Sequence, residues 1–261
     1  MTEIEKYYNK FNEEHRLTTR HGQVEFETSL KYIHDFLPKG KTPSETKILD
    51  LGAGTGRYSV QLCSEGYDIT AVELVKRNLE VLRSKHTAVK TWSGDARNIS
   101  FLDDDTFDLT IMFGPCYHLI GDDEKLKAIS EAKRVTKKDG IIMIAYTMNE
   151  YSVLTFCMAE GRLPSVLEKD GLSEDFHIQA DQNELYDYVR IEDITRLDRK
   201  AGLERIKIFS PDGPSDYMRR ELNAMDEATF ALFKKYVLSV SDRQDLIGAG
   251  SHVVDVVINR K

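Results

Sequence analysis

The 261-residue chain is 41% hydrophobic and 31% charged, the balance expected of a soluble globular protein long enough to bury a full core. Its 44 acidic side chains outnumber 36 basic ones, and no Lys/Arg-rich block offsets the net charge of -8. That balance opposes affinity built on neutralising phosphates, so nucleic acid is not an expected partner. The start, Met1-Thr2-Glu3-Ile4-Glu5-Lys6, lacks the basic and apolar pattern of a secretion signal, and the longest apolar run, 141–148, is too short for a bilayer. Cys63, Cys116 and Cys157 are odd in number and lack metal-ligand spacing. A reduced, cytoplasmic protein with no membrane partner, monomer or homodimer, is the expectation.

Two helices are predicted in the N-terminal cap, 1–40. The first, over 3–14, is polar and aromatic; the second puts Val24, Leu30, Ile33, Phe36 and Leu37 on one face and stops at Leu37-Pro38-Lys39-Gly40. A loop over 41–46 leads into a strand at 47–51. Helix 56–65, strand 68–73, helix 75–85 and a short strand near 89–92 follow. Strand 107–113, helix 122–135 and strand 140–146 continue the alternation. The strands are continuously apolar, as when helices cover both sheet faces, which predicts an α/β doubly wound parallel sheet with ligands at its carboxyl edge.

After Thr147 the rhythm breaks. A helix is expected over 151–161, then Leu163-Pro164 and a mixed polar stretch. A helix at 191–201, a strand at 204–209, two helical segments within 215–242 and a last strand at 252–258 complete the chain. No linker interrupts it, so 1–261 reads as a single domain. Within it, 149–183 and 211–247 are expected to be lid insertions over a substrate.

The most informative stretch is Ile48-Leu49-Asp50-Leu51-Gly52-Ala53-Gly54-Thr55-Gly56-Arg57, an apolar strand that breaks into three alternate glycines. Glycine allows a sharp turn and close approach of a ligand to the main chain, and the following helix offers unpaired N–H groups. The spacing is one residue tighter than the GxGxxG of dinucleotide sites. Asp50 before the loop would repel a phosphate and suits an ammonium group. Glu73 closes the second strand, where it can meet a ribose.

These motifs resemble those of the class I S-adenosylmethionine-dependent methyltransferases, whose first motif matches "LDLGAGTGR" here. The resemblance implies a Rossmann-like, mostly parallel seven-stranded sheet with S-adenosyl-L-methionine as cofactor and S-adenosyl-L-homocysteine as product. It implies that Glu73 holds the ribose hydroxyls and Leu74 lies on one adenine face. Within Ser93-Gly94-Asp95-Ala96, Asp95 would meet the adenine amino group and the Ala96 N–H the ring. The run from Phe107 through Phe113-Gly114 looks like the fourth motif, and Arg134-Val135 through Asp139-Gly140 is similar to the "RVLKPGG" turn, with Lys138 in the proline's place. Asp50, Gly52, Ala53, Gly54, Thr55, Gly56, Phe113, Gly114 and Tyr117 complete the implied cofactor set, with Arg16 for its carboxylate; Arg20 competes for that role. More loosely, Tyr7-Tyr8-Asn9, Glu14, Arg16-Leu17, Gly114 to Leu119, Asp212-Gly213-Pro214 and Gly248-Ala249-Gly250-Ser251-His252 resemble one bacterial branch related to ubiquinone/menaquinone-biosynthesis-type enzymes.

Methyl transfer from a sulfonium is an in-line displacement, so positioning is the main demand and a catalytic signature need not be visible. If a base is used, His118 is its candidate, with Tyr117 orienting the acceptor. Tyr151, Phe156, Met158, Phe176, Tyr186, Tyr188 and Tyr217 could wall the acceptor site or simply pack the lid. A small-molecule acceptor is the leading expectation. RNA or protein as acceptor, a nicotinamide oxidoreductase and a cofactor-binding protein without turnover are the alternatives. Cys116 as a cytosine-directed nucleophile lacks supporting recognition residues. No metal is expected, because His118, His177 and His252 lack ligand spacing.

Overall fold

The computed structural model describes residues 3–8, 10 and 13–261; Met1, Thr2, Asn9, Phe11 and Asn12 lie outside the described residues. In chain order the helices are α1 (Glu3–Tyr8), α2 (Glu13–Arg16), α3 (Arg20–Asp35), α4 (Arg57–Ser64), α5 (Lys76–Ser84), α6 (Asp122–Val135), α7 (Asn149–Ser152), α8 (Leu163–Leu167), α9 (Ile191–Ala201), α10 (Arg219–Ala224) and α11 (Glu227–Val240). The strands are β1 (Lys47–Leu51), β2 (Asp68–Glu73), β3 (Lys90–Ser93), β4 (Phe107–Met112), β5 (Thr136–Met148), β6 (Tyr188–Val189), β7 (Glu204–Phe209) and β8 (His252–Ile258).

The sheet runs β3-β2-β1-β4-β5-β8-β7, with the two-residue β6 paired to the end of β5. Strands β1 to β5 are mutually parallel, and β8 is antiparallel to both β5 and β7. From β1 the chain winds outward to β2 and β3, then returns to the other side through β4 and β5. The split between β1 and β4 is therefore a topological switch point, where two connections leave in opposite directions and open a crevice.

Alternate residues of the central strands feed two cores, which is why those strands need apolar side chains on both faces. Leu49, Leu51, Val72, Ile142 and Ile144 pack with Ile129 and Ala132 of α6 and Ile194 and Leu197 of α9. Ile48, Ile69, Leu109, Ile111 and Met143 pack with Phe26, Tyr32 and Ile33 of α3 and Leu62 of α4. Tyr32 also stacks on Phe209 of β7, ring centroids 3.8 Å apart. Thus α3 is a full member of one helical layer. Val24 of α3 in turn holds Leu222, Phe230 and Val237, so α10 and α11 rest on α3.

Four local differences from the predicted elements have identifiable causes. Within the predicted first helix, Glu3–Tyr8 is helical and Lys10 lies in a turn, its N–H bonded to the Tyr7 carbonyl. Strand β5 begins four residues early, with Thr136 opposite Phe107 and Ile141 opposite Leu109; the turn expected there is a bulge inside the strand, clasped by the Asn259 side-chain amide. The helix after Met148 widens to π geometry over Val153–Ala159. There the Ser152 and Thr155 hydroxyls take the carbonyls of Met148 and Tyr151, which competes with regular helical bonding. Strand β6 and helix α8 are too short to print a period on the sequence. Among the described residues no helix is long and apolar enough to cross a membrane.

Candidate functional site

The three glycines after β1 all have left-handed φ, +80° at Gly52, +55° at Gly54 and +81° at Gly56. Their surroundings differ. A Cβ on Gly52 would lie 2.6 Å from Pro115, and one on Gly56 would lie 2.3 Å from Leu82. These two glycines let the loop after β4 and helix α5 close against the turn. At Gly54 an added carbon would meet nothing nearer than the Glu13 side chain, 3.5 Å away, an ordinary contact across the space this backbone borders.

That space is a cleft at the carboxyl ends of β1, β2 and β4. It is lined by Asp50, Gly52, Ala53, Gly54, Thr55, Glu73, Leu74, Gly94, Asp95, Ala96, Phe113, Gly114, Tyr117, His118 and Arg16. Every predicted site residue therefore faces one cleft except Gly56, which packs on Leu82 behind the turn and begins α4. The sequence reading missed Ile4, Tyr8, Glu13, Glu14 and Leu17, which roof the cleft, and Asn78 on its side. Their signal is weak, since a polar helix carries no mark of the distant loop it will cover. Lys85 ties this roof down, reaching both Glu14 (2.7 Å) and the Thr55 carbonyl (2.8 Å).

The cleft is rich in buried carboxylates. Glu73 is 5% exposed; its two oxygens accept the Gly54 and Val75 N–H groups, each at 2.7 Å. Burial pushes its pKa up to about 7, against the lowering effect of those bonds and of Asn78. Asp50 accepts the Ser59 hydroxyl of α4 at 2.5 Å, and burial pushes it up to about 6. Asp95 behaves oppositely. Its hydrogen bonds from the Arg97 guanidinium and amide hold it below the usual carboxylate range despite partial burial.

Arg16 enters from α2, fixed by Glu13 (2.9 Å) and by both oxygens of Glu25 (3.0 and 2.8 Å). Arg20 points elsewhere: it binds the carbonyls of Leu222 and Met225 and the Glu227 carboxylate, lying over the Phe230 ring. Tyr117 is buried, which pushes its hydroxyl pKa up. His118 has both ring nitrogens engaged. Nδ1–H donates to the Leu185 carbonyl at 2.8 Å, which leaves Nε2 to accept the Tyr8 hydroxyl at 2.9 Å. Burial pushes His118 down to about 4, so it is a poor proton acceptor at neutral pH. Cys116 is fully buried, its thiol pushed up to about 12, and is no nucleophile.

A second cavity of about 560 Å³ adjoins the cleft; Tyr8, Glu13, Arg16 and Tyr117 line both. Of the predicted lid aromatics, Tyr151, Phe156, Tyr186 and Tyr188 face it. Met158 and Phe176 are largely exposed, and Tyr217 packs edge-on against Tyr151 with its hydroxyl on the Ala249 carbonyl. From the second insertion only Asp216 and Arg219 reach this cavity. The three histidines do not gather. His177 pairs with Asp193 at 3.2 Å, whereas His118 and His252 flank Tyr117. Among the described residues the one group spaced for a metal is Asp212, Asp216 and His252, donor atoms within 4.8 Å.

Residues 48–140 match a protein family described as a methyltransferase domain. The chain is 27% identical over 114 residues to a glycine/sarcosine N-methyltransferase of Aphanothece halophytica, covering 42% of this chain and 43% of that one. It is 36% identical over 99 residues to a demethylmenaquinone methyltransferase of Paenarthrobacter aurescens, covering 38% of each. The chain thus spans about two-fifths of the length of these curated relatives. The fold matches an S-adenosylmethionine-dependent methyltransferase structure from Thermotoga maritima over 98% of both chains, with a TM-score of 0.58 at 21% identity.

Proposed function

We propose, on the premise that this chain belongs through residues 48–140 to the class I S-adenosylmethionine-dependent methyltransferases, that it transfers a methyl group to a small molecule held beside the glycine cleft. The observation that carries this reading is one cleft uniting Gly54, Glu73 and Asp95, joined through shared walls to an aromatic cavity.

S-adenosylmethionine supplies the methyl group already activated as a sulfonium. Its fit is supported by the bare Gly54 backbone and by Glu73, whose carboxylate takes Gly54, Val75 and Asn78 and keeps one acceptor site for a further donor such as a ribose hydroxyl. Asp95 and the Ala96 N–H would take the adenine edge, with Leu74 against its face. Asp50 would take the ammonium group and Arg16 the carboxylate of the methionine portion. Helices α1 and α2 narrow the cleft to about 120 Å³, below the roughly 300–1,000 Å³ usual for ligand sites. On this reading they form a lid that has to open to admit the cofactor.

The neighbouring cavity, about 560 Å³, falls within that usual range, and its aromatic walls suit a compact acceptor more than a polymer. The chain's task is then to hold donor and acceptor in line, which supplies on the order of 7–11 kcal/mol of barrier reduction. Incubation with methyl-tritiated S-adenosylmethionine tests this. Label should enter a low-molecular-weight acceptor from a panel of phenols, amines and amino acids. Label entering only bulk RNA or bulk protein would contradict the small-molecule reading.

A further inference from the structure

Two segments 40 residues apart in sequence, Asp212-Gly213-Pro214 and Gly250-Ser251-His252, meet just behind the wall of the acceptor cavity, which Ser251 and His252 line. His252 is the first residue of β8, and its ring Nδ1 lies 2.7 Å from Asp212 Oδ2. The same carboxylate accepts the His252 backbone N–H, and the Ser210 hydroxyl lies 3.2 Å from Oδ1. Asp212 is 2% exposed and cannot turn away. Gly250 makes this packing feasible, since a Cβ there would sit 2.4 Å from Ser210 Oγ. With Nδ1–H committed to Asp212, Nε2 is the free nitrogen: it has no hydrogen-bond partner among the described residues, and the ring lines the cavity. The Tyr117 ring, a wall shared with the cofactor cleft, is 6.1 Å from that of His252 between centroids.

We propose that His252, oriented by Asp212, is the general base that takes the proton from the methyl acceptor. This assignment rests on the methyltransferase reading above and moves the base from His118, whose nitrogens are both engaged. In the step, a lone pair on the acceptor's oxygen or nitrogen forms the bond to the methyl carbon. The carbon–sulfur bond breaks, its electron pair staying on sulfur as a neutral thioether. The acceptor's proton passes to Nε2, and the imidazolium so formed is stabilised by Asp212 before it releases the proton to solvent.

Burial opposes charge on His252, but the Asp212 hydrogen bond and the negative charges of Asp212, Glu25 and Asp216 outweigh it and push its pKa up to about 9. Arg219, bonded to Asp216, lines the same cavity, as do Arg16, Glu13, His15, His21 and Glu160. The basic form therefore grows as pH rises toward 9, and turnover should climb with it.

The test uses the full chain with catechol and phenethylamine as probe acceptors, alongside diethyl pyrocarbonate labelling with S-adenosylhomocysteine bound. His252→Gln should lower kcat by roughly a hundredfold or more while S-adenosylhomocysteine affinity stays within about twofold. Asp212→Asn should lower kcat and move the rising limb of the pH profile toward neutrality. If neither probe is methylated, labelling decides. His252 should be carbethoxylated in the complex with a rate rising toward pH 9, and Asp212→Asn should shift that rise downward. Unchanged kcat in His252→Gln, a His252 protected from reagent in the complex, or turnover abolished by EDTA and restored by Mg²⁺ would each overturn the assignment. Failure of the wild-type chain to bind S-adenosylhomocysteine at all would instead reject the methyltransferase reading.

Discussion

Glu73 sits at the end of β2 under two opposing demands. Its backbone partners favour the carboxylate, while burial favours the acid and prevails, raising the pKa from 4.5 to about 7. The native state thus keeps a proton that the unfolded chain releases near 4.5, so this group's contribution to stability falls as pH rises from there through about 7. On the proposed reading ligand binding should have the opposite slope, because ribose hydroxyls would donate to the ionised form. S-adenosylhomocysteine affinity should rise between pH 6 and 8, by up to about tenfold per unit below the pKa. Glu73→Gln should bind about tenfold or more weakly at pH 8 and show a flatter profile, since hydrogen bonds to a charged group are worth about 1.5–3 kcal/mol. Calorimetric titrations at several pH values check both, and a Glu73→Gln profile as steep as wild type would assign the slope to Asp50 instead.

At the scale of elements, the glycine turn divides into positions packed against neighbours, Gly52 and Gly56, and one that borders the cleft, Gly54. Gly56→Ala forces a Cβ against Leu82 in a left-handed backbone, costing about 1–3 kcal/mol from overpacking alone. Gly54→Ala meets only ordinary contact with Glu13 but fills part of the cleft. Thermal unfolding should therefore drop further for Gly56→Ala, whereas affinity for S-adenosylhomocysteine should drop further for Gly54→Ala. The reverse ranking would mean the turn is seated differently. This division was not legible in the sequence, where three alternate glycines look equivalent. Strands β1, β2, β7 and β8 and helices α6 and α9 were legible to the residue, because each prints a strong apolar pattern between polar ends. The bulge in β5 and the π turn after α7 were not: both depend on side chains, Asn259 and Thr155, seizing backbone groups that a period cannot reveal.

Across the whole molecule, what the sequence concealed is closure. The strand ends that carry Asp50, Glu73 and Asp95 follow from the βα order, but nothing local announces that α1 and α2 fold back over them. The roof is held by long-range contacts, among them Tyr8 with His118 and Glu14 with Lys85. If it gates the cofactor, Tyr8→Ala should speed S-adenosylhomocysteine release by roughly tenfold, the effect of losing about 1.4 kcal/mol. Trp92, the sole tryptophan, stands on β3 just before Gly94 and offers a stopped-flow fluorescence signal. An unchanged release rate would show that the roof opens freely. The same tertiary folding brings His252 beside Tyr117, although more than a hundred residues separate them.

The most direct test of an adenosyl site between Gly54, Glu73 and Asp95 is a calorimetric titration of the full chain with S-adenosylhomocysteine, with NAD as the competing nucleotide. Saturable one-to-one binding of S-adenosylhomocysteine and none of NAD is the predicted result. Binding of NAD in its place, or no heat from S-adenosylhomocysteine up to millimolar concentration, would contradict it.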